Sequence, residues 1–371
     1  MRRLLIVTDA WRPQINGVVR SLERLASELE RLDVRVDFVT PLEFRTLPCP
    51  TYPEIRLSLT HGRVIRRRIE AAKPDYVHIA TEGPLGLMAR RAALDIRTPG
   101  YTTSYHTRFP EYLSARLPIP QRLTYAWLRR FHNSGLCCMV ATETLRADLA
   151  RRGFTDLAIW SRGVDLDLYR PRDDVDDVYR GLPRPIALNV GRVAVEKNLE
   201  AFLDLPLPGT KVVIGDGPQL EQARRKYPAV RFLGPKIGED LARHYAAADV
   251  FVFPSRTDTF GNVIVEALAS GLPVAGFPVM GPIDIVGGTR AGVLSEDLGA
   301  AVGAALRLDR RDAIEVASRY TWENSARQFL DNVEAAQARR RLRQQTHFAG
   351  GGDAAAAVAT GDPGGDGLSR R

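Results

Sequence analysis

The sequence predicts an α/β protein made of two Rossmann-like parallel-sheet domains that face a cleft. Short apolar runs alternate with amphipathic stretches through the first half, the pattern of strands covered on both faces by helices. A polar, turn-rich segment, SRGVDLDLYRPRDDVDD at Ser161–Asp177, then breaks the rhythm as an interdomain linker should. After it the alternation restarts, and 371 residues are long for one domain and comfortable for two.

The first strand is expected at Arg3–Thr8. MRRLLIVTDAWRP imitates a signal peptide for a few residues, but its apolar run stops at Val7, and Asp9 and Arg12 follow. Val18–Leu32 reads as an amphipathic helix with Val19, Leu22, Leu25, Ala26 and Leu29 on one face. Strands are expected at Val34–Thr40, Tyr76–Ile79, Gly100–Ser104 and Met139–Thr142. Helices are expected at Arg63–Ala72, Gly86–Leu94, Pro118–Asn133 and Glu143–Arg152. In the second half, Ile186–Val190, Lys211–Ile214, Val250–Phe253 and Val274–Gly276 read as strands, and Glu239–Ala247 and Val263–Ala269 as helices. The expected division is residues 1–165, a linker at 166–180, a second domain at 181–320 and a terminal helix at 321–346. Residues 347–371 are Gly/Ala/Asp-rich without apolar periodicity and are expected to be disordered.

No apolar run approaches the length that spans a bilayer. Cys49 and the adjacent Cys137 and Cys138 form no disulfide framework and lack metal-ligand spacing, so buried free thiols in a reducing cytosol are expected. The formal net charge is +8 and is unevenly spread: residues 1–165 carry 26 basic and 17 acidic residues, the rest 26 and 27. A basic first half suits an anionic membrane surface or an anionic acceptor. Nucleic acid ranks lower as a partner, because no DNA- or RNA-binding motif is present. The arginine-dense stretch Arg63–Ile69 is one candidate membrane patch, against a plain solvated face. Ala338–Arg343 is either a second basic patch or a frayed helix end.

The most informative segment is PSRTDTFGNVIVEALASGLPVAG, Pro254–Gly276. Asp258 and Glu266 stand eight positions apart, with a Phe260-Gly261-Asn262 turn between them opening an apolar helix. A helix N-terminus offers unpaired N–H groups and partial positive charge to an anion, and flanking carboxylates accept from hydroxyls. Phosphate held by backbone and hydroxyls held by carboxylates describe a nucleotide-sugar pocket.

This segment resembles the E-x7-E motif of glycosyltransferase family 4, retaining enzymes of the GT-B fold, with Asp258 in place of the first Glu. Residues 1–340 resemble bacterial members that put mannose, glucose or related sugars on membrane lipids, most closely in WRPQINGVVRSL, SYHTRFPEY and PSRTDTFGNVIVEA. The resemblance implies a terminal helix, around Thr321–Arg341, that crosses back to the first domain. It implies that Gly17, in the loop after the first strand, turns its backbone to the donor diphosphate. GRVAVEKN resembles the family's phosphate clamp, making Arg192 and Lys197 leaving-group stabilisers, with Glu196 orienting one of them. His106, at a strand's carboxyl end, matches a histidine beside the transferred sugar. Phe260, Gly261, Asn262 and Glu266 would bind the donor, Glu266 on the ribose hydroxyls and Asp258 on a sugar hydroxyl. VIGDGP at Val213–Pro218 resembles a strand-ending turn of the family, and Lys236 and Ile237 fall where the base is held through backbone groups.

The implied reaction is hexose transfer from a nucleotide diphosphate sugar to a lipid such as diacylglycerol or phosphatidylinositol, forming an α-linkage. The alternatives are a polysaccharide or lipopolysaccharide-core acceptor, or a non-catalytic nucleotide-sugar-binding scaffold. Absence of G-x-G-x-x-G argues against a dinucleotide dehydrogenase. Two D-x-D pairs, Asp165/Asp167 and Asp174/Asp176, lie in the linker and read as Asx turns, so no protein-bound metal and no cofactor beyond the donor are expected. The expected location is cytoplasmic and peripheral on the inner face of the plasma membrane.

Overall fold

The computed structural model describes residues 1–14, 17–49, 52–94, 99–114, 119–175 and 177–356. Six parallel strands form the first sheet, in the spatial order Val34–Val39, Arg2–Val7, Tyr76–Ile79, Thr102–Tyr105, Cys138–Val140, Leu157–Ile159. Another six parallel strands form the second, in the order Arg231–Gly234, Thr210–Ile214, Ile186–Val190, Val250–Phe253, Val274–Gly276, Gly292–Leu294. Numbered within its own half, the second sheet has the 3-2-1-4-5-6 order of a dinucleotide-type fold. Its crevice opens where the order reverses, between Ile186–Val190 and Val250–Phe253. In the first sheet the order reverses between Arg2–Val7 and Tyr76–Ile79, and the loop leading to Gly17 leaves from that point.

Both sheets are buried on two faces. Leu4 and Ile6 pack on one side of the first sheet with Leu22, Leu25, Trp160 and Phe329; Leu5 and Val7 pack on the other with Ile65, Ile69 and Leu85. Successive strand residues therefore both need apolar partners, which is why these runs read as continuously apolar. Asp9 locks the helix after the third strand: its carboxylate accepts from the backbone N–H of Leu85 (2.8 Å) and Gly86 (3.2 Å) and from Thr81 Oγ1 (2.9 Å). Burial still pushes that carboxyl up to about 6.

The helix Trp322–Ala356 packs on the first domain. Phe329, Leu330, Val333 and Ala336 join its core. Trp160 Nε1 donates to Ser325 Oγ (3.1 Å) and Asn332 Nδ2 to the Ile159 carbonyl (2.7 Å). The two chain passages between domains lie side by side, with Val164 N–H donating to the Tyr320 carbonyl at 2.8 Å. A Cβ on Gly163 would stand 2.6 Å from the backbone of Trp322, so that approach requires glycine.

One expectation is corrected, and several elements are added. The terminal helix runs on to Ala356, through the three glycines Gly350–Gly352, into the stretch expected to be disordered. Residues 357–371, and Asp176 of the second D-x-D pair, lie outside the described residues. An antiparallel ribbon, Arg45–Cys49 with Tyr52–Leu59, stands where the sequence assigned no element. The strands Leu157–Ile159, Arg231–Gly234 and Gly292–Leu294 extend the sheets beyond those expected.

Candidate functional site

The crevice of the second sheet brings two loops together. After Ile186–Val190 the chain enters the short turn Val195–Lys197, and Asn198 takes a left-handed φ of 50°. Asn198 Nδ2 donates to the Pro254 carbonyl (3.0 Å), and Thr257 Oγ1 to the Glu196 carbonyl (3.1 Å). So tied, Lys197 Nζ forms an ion pair with Asp258 Oδ1, across 61 residues of sequence. The other oxygen, Asp258 Oδ2, is buried without a hydrogen-bond partner. A buried carboxylate oxygen left open costs free energy unless a ligand donor meets it. The GDGP turn supports the first loop: Val193 N–H donates to the Asp216 carbonyl (2.9 Å), and a Cβ on Gly215 would stand 1.8 Å from the Gly191 oxygen.

The helix Asn262–Ala269 begins just past Asp258, after Gly261 at a φ of 94°. Its open N-terminal N–H groups suit an anion. Phe260 is 4 % exposed, and its ring packs edge-on against Tyr320. Glu266 lies one turn into the helix and accepts from the Tyr245 hydroxyl at 3.0 Å. Burial pushes its carboxyl up from an ordinary 4.5 to about 7, while the Tyr245 hydrogen bond and the Arg20 charge oppose the rise. Arg20 belongs to Gly17–Arg31, so the first domain reaches the electrostatics of this residue.

That first-domain helix starts at Gly17. A Cβ built there would lie 3.2 Å from Asn262 Nδ2, so helix N-termini of both domains face one another. His106 stands on the same wall, past the strand Thr102–Tyr105, and its carbonyl accepts from Thr259 Oγ1 at 2.8 Å. Buried Arg162 donates through Nη2 to His106 Nδ1 (2.9 Å) and stacks over the Trp160 ring at 4.2 Å. Arginine has no acceptor, so Nδ1 carries the lone pair and the proton sits on Nε2. Burial, then the Arg162 charge, hold the imidazole well below its ordinary 6.5, so it is neutral. His106 Nε2 is buried with no partner: a fixed donor awaiting an acceptor.

The structure thus brings Gly17, His106, Lys197, Asp258, Asn262 and Glu266 together. Arg192 is exposed on the same loop as Lys197. Lys236 and Ile237 follow the edge strand Arg231–Gly234; Lys236 Nζ is held by Asp240 Oδ2 (2.8 Å), and Ile237 is 62 % exposed. Asp165 pairs with Arg24 and caps the Leu168 N–H at 3.1 Å, a structural role. Among the described residues no three His, Cys, Asp or Glu side chains are grouped to hold a metal. Sequence reasoning missed Arg162, Arg20, Tyr245 and Thr259, none of which carries a spacing signal. It also missed Asp284, which accepts from Thr144 N–H at 2.9 Å and so fastens the two domains.

Comparison with known proteins places two family models on the chain. Residues 15–168 match Glycosyltransferase Family 4 and residues 184–309 match Glycosyl transferases group 1. Sulfoquinovosyl transferase SQD2 of Arabidopsis thaliana is 34% identical over 65% of this chain; the chain spans only 50% of that relative's length. A GDP-mannose-dependent alpha-mannosyltransferase of Mycobacterium tuberculosis (strain CDC 1551 / Oshkosh) is 28% identical, over 79% of this chain and 83% of the relative. An alpha-monoglucosyldiacylglycerol synthase of Streptococcus pneumoniae (strain ATCC BAA-255 / R6) is 27% identical, over 73% and 70%. Among solved structures, sucrose-phosphate synthase from Thermosynechococcus elongatus superposes with a TM-score of 0.73 at 20% identity, covering 94% of this chain and 100% of that one. Anabaena HepE in complex with UDP-glucose gives 0.69 at 15%, covering 90% and 100%.

Proposed function

Because the chain belongs to the family 4 glycosyltransferases of GT-B fold, we propose that it is a retaining enzyme for a membrane-lipid acceptor. It moves a mannose- or glucose-type hexose from a nucleotide diphosphate sugar to a hydroxyl of a lipid such as diacylglycerol or phosphatidylinositol. Residues 1–165 form the acceptor side, 166–180 the linker and 181–320 the donor side. The observation that carries this reading is the pair of buried, unpartnered polar atoms, Asp258 Oδ2 and His106 Nε2, beside a helix N-terminus. One accepts and the other donates, as sugar hydroxyls require.

In the proposed reaction the acceptor oxygen attacks the anomeric carbon from the face the diphosphate leaves. The bond from that carbon to phosphate oxygen breaks, and a phosphate oxygen takes the acceptor proton. Charge on the departing diphosphate is met by Lys197, Arg192 and the N–H groups at Asn262 and Gly17. These cations are the reason to expect no resident metal. Glu266 accepts from ribose hydroxyls, and the backbone near Lys236 and Ile237 holds the base. Asp258 and the neutral His106 orient the hexose.

Two observations support the lipid acceptor. The name of the Streptococcus pneumoniae relative describes glycosylation of diacylglycerol, and the excess positive charge lies in residues 1–165. Among the described residues no helix is long and apolar enough to cross a membrane, which fits a peripheral association.

The test is thermal unfolding against UDP, GDP, ADP and their sugar conjugates, followed by transfer assays on wild type and Asp258→Ala. A nucleotide at 100 times its dissociation constant adds about 2.7 kcal/mol. Asp258→Ala should keep nucleotide binding and lose about a hundredfold or more in turnover. No shift with any nucleotide sinks the donor site, and unchanged turnover removes Asp258 from the chemistry.

A further inference from the structure

The helix Gln121–His132 turns Thr124, Tyr125, Leu128, Phe131 and His132 inward. Its outer side is partly apolar. Leu123 and Trp127, 59 % and 40 % exposed, lie one turn apart, and Ile119, 37 % exposed, precedes them. Arg122 and Arg130 are exposed on the same outer side. Between Glu111 and Glu143 the sequence holds four arginines and no acidic residue. The arginine-dense helix Gly62–Ala72 differs: there Arg66 pairs with Glu70 and Arg68 with Glu43.

This outer face is fastened to the segment that carries His106. Phe109, three residues further on, opens the short helix Phe109–Ser114 and is 44 % exposed. Glu111 Oε1 accepts from Arg108 Nη2 (2.5 Å) and from the Tyr125 hydroxyl (2.7 Å), and Gln121 Nε2 donates to Ser114 Oγ at 3.0 Å. A lipid headgroup beside this hairpin is close in sequence and structure to the proposed acceptor side.

We propose that this face docks on an anionic lipid bilayer, with Ile119, Leu123 and Trp127 entering the interfacial layer and Arg122 and Arg130 at headgroup phosphates. The inference rests on the lipid-acceptor reading above and assigns its contact surface. Tryptophan suits the interface because its ring is amphipathic. Apolar side chains flanked by unopposed arginine bind a surface that is both oily and anionic. A second copy fits less well, since a two-fold contact would set the arginines of one copy against those of the other.

The experiment is cosedimentation of the full chain with phosphatidylglycerol/phosphatidylcholine vesicles at low salt. Variants are Leu123→Ser/Trp127→Ser, Arg122→Glu/Arg130→Glu and, as a control, Arg63→Glu/Arg67→Glu. Nucleotide-induced thermal shifts, expected unchanged, show that each variant is folded. The first two pairs should weaken vesicle binding about tenfold or more, and the control much less. Wild-type binding should fall steeply with salt. The proposal is overturned if wild type ignores the vesicles, if the first two pairs bind as wild type does, or if the control alone abolishes binding. A wild-type dimer made monomeric by Leu123→Ser/Trp127→Ser, without vesicle binding, would assign the face to a second copy instead. Lipid glycosylation in detergent, where no bilayer is needed, separates the two readings. Transfer there without vesicle binding defeats the surface alone. Vesicle binding without transfer defeats the acceptor reading and keeps the surface.

Discussion

Replacing Glu266 by Gln should stabilise the empty protein at alkaline pH while weakening nucleotide binding. The carboxyl is raised from an ordinary 4.5 to about 7 by burial. An acid raised on folding adds stability below its unfolded value, and that contribution is lost as pH rises through its folded value. Between pH 5 and pH 8 the linkage integral costs wild type about 2.5 kcal/mol, an order-of-magnitude figure. Glutamine does not titrate, and its oxygen can still accept from Tyr245. Other titrating groups are common to both proteins and cancel in the difference. Urea denaturation of both proteins at pH 5 and pH 8 measures it: the stability of Glu266→Gln relative to wild type should rise by about that amount between the two. With nucleotide present the variant's advantage should shrink by about 1.5–3 kcal/mol, because the proposed ribose contact loses its charged acceptor. Wild-type affinity for a nucleotide sugar, whose esterified diphosphate does not titrate in this range, should also fall as pH drops below about 7, and the variant's should stay flat. A stability difference independent of pH, or a variant that binds nucleotide as wild type does, would refute the reasoning.

Gly17→Ala places a Cβ 3.2 Å from Asn262 Nδ2, tighter than ordinary contact. Nucleotide affinity should fall several-fold with folding stability nearly unchanged, and Gly17→Ala/Asn262→Ala should recover part of it; an unchanged nucleotide-induced thermal shift would separate Gly17 from the donor site. Arg162→Met frees His106 Nδ1 and removes the charge that helps keep the ring neutral. Turnover should drop about tenfold or more at constant nucleotide affinity, with a new acid limb in the pH–rate profile and partial rescue by Arg162→Lys. A profile of unaltered shape would leave Arg162 a merely structural residue.

The strands Tyr76–Ile79, Ile186–Val190, Val250–Phe253 and Val274–Gly276 coincide with the expected ones residue for residue. Each is an apolar run flanked by polar or turn residues, so its signal is contained in its own neighbourhood. The ribbon Arg45–Cys49/Tyr52–Leu59 carries charges, prolines and exposed Leu47 and Leu59, and among its residues of described burial only Ser58 is buried, so no apolar face imposes a period. Edge strands of three or four residues, such as Leu157–Ile159 and Arg231–Gly234, are too short for periodicity to register.

By itself the sequence determined the α/β alternation, the helix N-terminus after Asp258 and the residue types a nucleotide sugar needs. Those properties depend on spacing along one stretch of chain. Only the tertiary structure decided that Lys197 and Asp258 form one ion pair, since they leave different strands and meet through sheet order. Only it decided that Arg162 sets the tautomer of His106, that Gly17 faces Asn262, and that the surroundings of Glu266 raise its carboxyl to about 7. Hydrogen-bond partners and local dielectric belong to groups brought together by packing, and packing joins residues whose separation along the chain has no period to read.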